Sequence, residues 1–231
     1  KAVDAATFAN VRAKARELGG APALIRELHA AGIVDAKMGE LSPFFREQDG
    51  SLVGASAEDR FVIARNLEER DAEWANDSPE WLGRAAMGMR HCFLVRSSTS
   101  TSFELTMTFN VLAFGLDGDA TSLRVAIDEV LAMRAAARAF ASGTESWSAE
   151  PERLGLFFHC YPHNTVDNLH LHLVDLATTG PSFEHLSHKN LPLDAVLEVL
   201  RMELGAAESG SAPAGQHPDW SGAESQTQRV T

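Results

Sequence analysis

Apolar residues recur at helical spacing over residues 4–19, where Phe8, Val11 and Leu18 share one side and Gly19-Gly20 closes the run. A second short helix is predicted over about Ala21–Ala31, stopped by Gly32. The periodicity then breaks at Pro43-Phe44-Phe45 and at Gln48-Asp49-Gly50-Ser51, an irregular or hairpin-like excursion. Ser56 has the chemistry of an N-cap for a helix over about Ala57–Trp74, with Glu58 and Asp59 suited to the positive helix end. Ser78-Pro79 repeats a cap followed by proline at the first helical position. Residues 1–87 therefore read as a helical N-terminal region. Its carboxylates Glu68, Glu69, Asp71 and Glu73 read as a solvated helix face.

The texture changes near Gly88. Cys92–Val95 and Phe103–Leu116 are rich in Phe, Leu, Val and Thr and are joined by a polar connector, so they read as two strands of a hairpin, the second with room for a bend at Asn110. Asp117-Gly118-Asp119 is a turn, and Ser122–Phe140 is a helix with Leu123, Ile127, Val130, Leu131 and Ala135 along one side. Leu154–Phe158 and Leu169–Leu176 read as two further strands, and Leu193–Leu204 as a closing helix with Val196, Val199 and Leu200 inward. The order of strands and helices predicts an α+β domain over residues 88–205, an antiparallel sheet with helices packed on it. From Ala206 the chain is small and polar, and residues 206–231 read as a disordered tail.

Composition narrows the function classes. Across 231 residues the formal net charge is -12, which disfavours duplex nucleic acid as a partner, because that affinity is built on cations that displace counterions. A small phosphorylated ligand needs only a few local donors and stays open. Two cysteines, Cys92 and Cys160, are too few for a disulfide framework and read as small buried hydrophobes. No apolar run reaches the length of a membrane span, so no membrane partner is expected and the cytoplasm is the default compartment. The chain begins at Lys1 without an initiator Met, which leaves room for an upstream segment.

The candidate chemistry lies in residues 158–175. Strand alternation puts Asn168, His170 and His172 on one face, about 7 Å apart, and Leu169, Leu171 and Leu173 on the other. The leucines are the predicted core side, and the imidazoles share the polar side. Thr165 offers a hydroxyl in the turn entering this strand, Pro162 and Asn164 shape that turn, and His159 can face the same pocket from the preceding strand. Four of the nine histidines (His159, His163, His170 and His172) fall in this short span. His185, His188 and Lys189 follow it and could lie over the pocket mouth. As loop residues near a helix start they need no such role.

The run Phe158-His159-Cys160-Tyr161-Pro162-His163-Asn164-Thr165-Val166-Asp167-Asn168-Leu169-His170-Leu171-His172-Leu173 resembles the signature of the histidine-triad superfamily. It is most similar to the branch that holds the C-terminal domain of scavenger mRNA decapping enzymes and the nucleoside phosphoramidase-like proteins. In that pattern Thr165-Val166 stands at a Ser-Val pair, His170 at the central triad position and His172 at the third. The first triad position is Asn168 instead of His. The detailed likeness covers about residues 154–176.

The resemblance implies a histidine-triad-like α+β fold and a nucleotide hydrolase or nucleotidyl transferase that needs no cofactor. His170 would attack an α-phosphorus and form a nucleotidyl-histidine, which water then hydrolyses. His172 and Thr165 would hold phosphoryl oxygens, with Asn168 and His159 orienting. His163, Asn164, His185, His188 and Lys189 would form the rim. The resemblance also implies a homodimer and a small nucleotide substrate. Residues 1–87 would serve as a specificity cap or an added dimer surface. Two other functions compete. His159, His163, His170 and His172 could assemble around zinc or iron, although a downstream carboxylate and histidine expected of a cupin-like enzyme are missing. Asn168 also fits a catalytically weakened nucleotide-binding protein.

Overall fold

A computed structural model describes residues 3–20, 23, 61–96, 110–150, 152–159 and 169–210. Five antiparallel strands form one sheet in the order β1-β2-β4-β3-β5. They are β1 (Phe61–Arg65), β2 (His91–Arg96), β3 (Leu154–His159), β4 (His170–Asp175) and β5 (Asn190–Pro192). Three long helices accompany the sheet: α1 (Ala5–Glu17), α3 (Ala120–Gly143) and α5 (Leu193–Ser209), with the short α2 (Glu68–Ala72) and α4 (Pro181–His185) between them. The α+β class expected from the sequence is the one observed.

Alternation along the strands builds the main core. Phe61 and Ile63 of β1, Cys92 and Leu94 of β2, Leu171 and Leu173 of β4, Leu154 and Phe158 of β3 and Leu191 of β5 all join one hydrophobic cluster. Helix α3 covers that face with Leu123, Ala126, Ile127, Val130, Met133, Ala137 and Ala141, which recur each turn along one side as a helix stripe requires. Helix α5 adds Val196, Leu197, Val199 and Leu200. Burying each of the Val, Leu, Ile, Phe and Met side chains contributes about 1.5–3 kcal/mol before chain entropy is subtracted. The Cys92 thiol is buried within this layer, where desolvation pushes its pKa up.

Local signals set the helix ends. Asp119 caps α3 by accepting from the backbone N–H groups of Thr121 and Ser122 at 3.0 and 2.9 Å, and Asp4 caps α1 through the Thr7 N–H. Helix α5 stops at Gly210, whose φ of 67° is a left-handed conformation that glycine adopts without a Cβ clash. Helix α1 packs on α5 through a buried ion network. Arg12, fully enclosed, donates Nε and Nη2 to the Glu203 carboxylate and Nη1 to the Leu112 carbonyl at 2.8 Å. Arg16 donates to the same carboxylate at 2.6 Å and to the Leu116 carbonyl at 2.9 Å.

Four boundary expectations are corrected. The helix predicted over Ala57–Trp74 is a strand at Phe61–Arg65 followed by the single turn of α2. Val62 and Ile63, β-branched, lie in register opposite Val95 and Leu94, and that pairing outweighs the acidic helix-like flanks. After Ser78-Pro79 the chain makes consecutive turns, with Trp81 and Leu82 both bonded to the Ser78 carbonyl, instead of a regular helix. The described end of the predicted strand Phe103–Leu116 is a 3-10 turn at Val111–Ala113, because Asn110 accepts from the Leu112 N–H and caps it. Helix α5 runs on through Ala206 to Ser209, past the expected start of the tail. The predicted Ala21–Ala31 helix (but for Ala23), the 43–51 excursion and residues 211–231 of the tail lie outside the described residues.

Candidate active site

The second face of the sheet holds the histidines. Register puts Phe93 opposite His172 and Val95 opposite His170 across β2 and β4, and Phe157 opposite His172 across β3 and β4. His159 ends β3 and lies opposite Asn190 of β5. His91 begins β2 opposite Val174. Four imidazoles thus converge: His159 and His172 have ring centroids 4.0 Å apart, His170 and His172 4.8 Å, and His91 and His172 5.2 Å. Phe93 packs edge-on against His172 at 5.0 Å and supplies an apolar wall.

This face is not the open polar stripe expected from the sequence. His159, His170 and His172 are only 8, 6 and 5 % exposed, and β4 is buried along its whole length. Desolvation opposes the charged imidazolium, and charge on neighbouring imidazoles adds to it. Burial first, then His159 and His170, lowers His91 to about 3. Burial, His170, Lys189 and His188 lower His159 to about 3 against the hydrogen bond of Asn190, which favours the charged form. Burial, followed by His159, His170 and His91, holds His172 well below the usual imidazole value. These three imidazoles are therefore neutral at pH 7.

Hydrogen bonds order the cluster from one side. The backbone N–H of Met87 donates to His91 Nδ1 at 3.2 Å, and His91 Nε2 lies 3.0 Å from His172 Nδ1. The Asn66 amide nitrogen also approaches His91 Nδ1, at 2.9 Å. Met87 is itself held by close backbone contact: the Gly180 N–H donates to its carbonyl at 2.9 Å. Gly180 has no room for a side chain, since a Cβ there would stand 1.9 Å from the Trp74 carbonyl oxygen. On the other side His159 Nε2 meets Asn190 Oδ1 at 2.8 Å. Two buried polar atoms in this cluster lack a hydrogen-bond partner, His172 Nε2 and Asn190 Nδ2. An unpaired buried donor costs about 1–3 kcal/mol, a cost often retained where a ligand will supply the partner.

Of the residues expected at the site, His159, His170 and His172 come together. His188 and Lys189 lie near enough for their charge to act on His159. His185 is exposed and packs instead beside Gly83, where its ring stands 3.0 Å from the position of a Cβ. Thr165, Asn168, His163 and Asn164 lie outside the described residues. His91 and Asn66 had no signal of their own in the sequence; only the pairing of β2 with β4 brings His91 to His172. Arg90 and Arg153, flanking the strands, both turn to Asp175, at 2.7 and 3.2 Å. A cavity of about 250 Å³ opens at the start of β2, between His91, Arg65, Asp71, Phe140 and Trp147.

The cluster admits two kinds of ligand. Ring nitrogens of His159, His170 and His172 all lie within 4.8 Å of one another, close enough to converge on one metal ion. Neutral imidazoles can equally offer one N–H donor and one lone pair each to a phosphoryl group. No helix among the described residues is long and apolar enough to cross a membrane. Comparison of the chain with family models, with curated proteins and with solved structures finds no match.

Proposed function

We propose that this protein is a nucleotide hydrolase or nucleotidyl transferase acting at an α-phosphate through His170. The supporting observation is the pairing of His170 and His172 on one enclosed sheet face, rings 4.8 Å apart, with an unpartnered His172 Nε2 beside them. A lone pair on His170 attacks the α-phosphorus, the bond to the leaving group breaks, and a nucleotidyl-histidine forms. Water then attacks phosphorus, the P–N bond breaks, and nucleoside monophosphate leaves with His170 regenerated. His172 donates to a phosphoryl oxygen as charge gathers there. Thr165 adds its hydroxyl, and Asn168 and His159 orient the group. On this reading His188 and Lys189, whose charge reaches His159, belong to the rim, and the resemblance assigns His163 and Asn164 to it as well. The working unit is a homodimer in the cytoplasm, and a single-chain mass by light scattering would remove the dimer from this reading.

The test is a panel of nucleoside phosphoramidates, dinucleoside polyphosphates and capped dinucleotides, followed by monophosphate release. Turnover by the wild type and its loss in His170→Ala, with the fold intact by circular dichroism, is the expected result. Binding without turnover would reduce the protein to a nucleotide-binding one. The three converging ring nitrogens favour a second reading, a histidine-ligated zinc or iron enzyme. Activity abolished by a chelator and restored by one metal ion would replace the first reading with that one.

A further inference from the structure

We infer that His91 is a positioning residue that fixes His172 as the Nε2–H tautomer, so that the cluster presents a proton donor at that nitrogen. One group beside the cluster has a hydrogen-bonding role that cannot be reversed. A backbone N–H only donates, so the Met87 amide, 3.2 Å from His91 Nδ1, requires a lone pair there. A neutral imidazole carries one N–H, and His91 must then carry it on Nε2. That nitrogen lies 3.0 Å from His172 Nδ1, so His91 donates and His172 Nδ1 accepts. The single proton of neutral His172 is left on Nε2, the buried atom without a partner. The polarity of one peptide group therefore passes through two rings and emerges as an N–H in the candidate site.

The consequence is a choice of ligand. A nitrogen that keeps its proton cannot bind a metal ion through the same atom, because coordination needs the lone pair. It can donate to an oxyanion. Resting on the nucleotidyl-transfer reading, the relay assigns His172 to a phosphoryl oxygen that bears negative charge. Its anchor is rigid: the Met87 carbonyl is held by Gly180, and Gly180 is pressed against Trp74. His91 is only 8 % exposed, so solvent does not compete for its nitrogens.

The experiment uses the full chain labelled with ¹⁵N in its histidine rings. Long-range proton–nitrogen correlation spectra report which ring nitrogen bears the proton, and the His172→Gln spectrum identifies the His172 signals. Wild type at pH 7.5 should show both His91 and His172 as Nε2–H tautomers. In His91→Phe, which removes the relay and retains a ring, His172 should become a mixture of tautomers. In His91→Gln the pure tautomer should return, since the amide can accept from Met87 and donate to His172. A wild-type His172 in the Nδ1–H form, or one unchanged in His91→Phe, overturns the relay. If His91→Phe fails to fold, the wild-type and His91→Gln spectra still decide it.

Turnover separates this inference from the functional reading. On a substrate accepted by the wild type, kcat in His91→Phe should fall by about 10- to 100-fold, the scale set, by analogy, by losing the outer partner that orients a metal-bound histidine. KM should change less, and His91→Gln should restore most of the rate. The tautomers can be as expected in a protein that turns over no nucleotide; the relay then stands and the hydrolase reading falls. Stoichiometric zinc bound through His172 Nε2, seen as loss of its proton signal on titration, would reverse the ligand choice.

Discussion

Two buried polar regions of this molecule differ in how completely they are paired. Between α1 and α5, each of the three guanidinium nitrogens of Arg12 finds an acceptor, and Glu203 receives both arginines. On the sheet face, four imidazoles crowd together and leave His172 Nε2 and Asn190 Nδ2 without partners. The first region closes on itself and holds helices in place. The second retains unused hydrogen-bonding capacity at a desolvation cost, as a site prepared for a ligand does. Both regions are buried, and what separates this pair is how completely each is paired.

The contrast is sharpest in variants that remove one member from each region. His170→Ala should lower turnover on the best panel substrate on the order of 1,000-fold or more, the scale expected when a nucleophile is lost. Its urea unfolding free energy should move by no more than about 1 kcal/mol, because desolvation of the ring offsets much of its packing. A large loss of stability with turnover retained would exchange the roles of the two regions. Arg12→Met should act in the opposite way. Breaking a buried pair from one side costs about 3–5 kcal/mol, and Arg16, still bonded to Glu203, holds the effect near the lower end. Activity per folded molecule should be unchanged when measured well below the unfolding midpoint.

Acid should resolve the two regions without mutation. Histidines held below their ordinary value of 6.5 bind protons more readily when unfolded, so their contribution is complete above that pH. It declines as pH falls from 6.5 toward about 3, at a limiting slope of about 1.4 kcal/mol per pH unit for each group. Glu203 is pushed up by burial, yet the hydrogen bonds and charges of Arg12 and Arg16 bring it below 4.5. Its contribution is present above 4.5 and fades only as pH falls through the folded value. Urea titrations from pH 7.5 to 3.5 should show weakening that starts near 6.5 and steepens below 4.5. His91→Phe should flatten the upper part and Arg12→Met the lower. The smallest expected effect tests neither region: Asp119→Ala removes the α3 cap and should lower the thermal unfolding midpoint slightly.

What the sequence disclosed follows from the range of each signal. The leucines at 169, 171 and 173 and the stripes on α3 and α5 repeat at periods set by backbone geometry, so they were legible. His170 and His172 came from the same parity. Their burial did not, because the elements that enclose a strand are distant in sequence. His91 stands alone between Arg90 and Cys92, and only the register against Val174 gives it meaning. Phe61–Arg65 was hidden by acidic flanks that suit a helix, since strand pairing with β2 is not written locally. Arg12 reads as one more exposed helical cation until Glu203, 191 positions away, is placed against it.

Cys92 gives this fold a built-in clock. Its thiol sits on the middle of the sheet, paired in register with Leu173 one residue from His172. It is buried at the cavity that opens at the start of β2, with ionisation pushed beyond the normal thiol range, so it meets an alkylating reagent slowly, at a rate that rises when the structure around β2 opens. Peptide-resolved mass spectrometry of alkylation at this position would read the frequency of local opening around β2 under native conditions. A phosphoryl ligand seated on the opposite face should slow that clock in proportion to its occupancy, which makes a cysteine with no part in the chemistry a reporter of the histidines behind it.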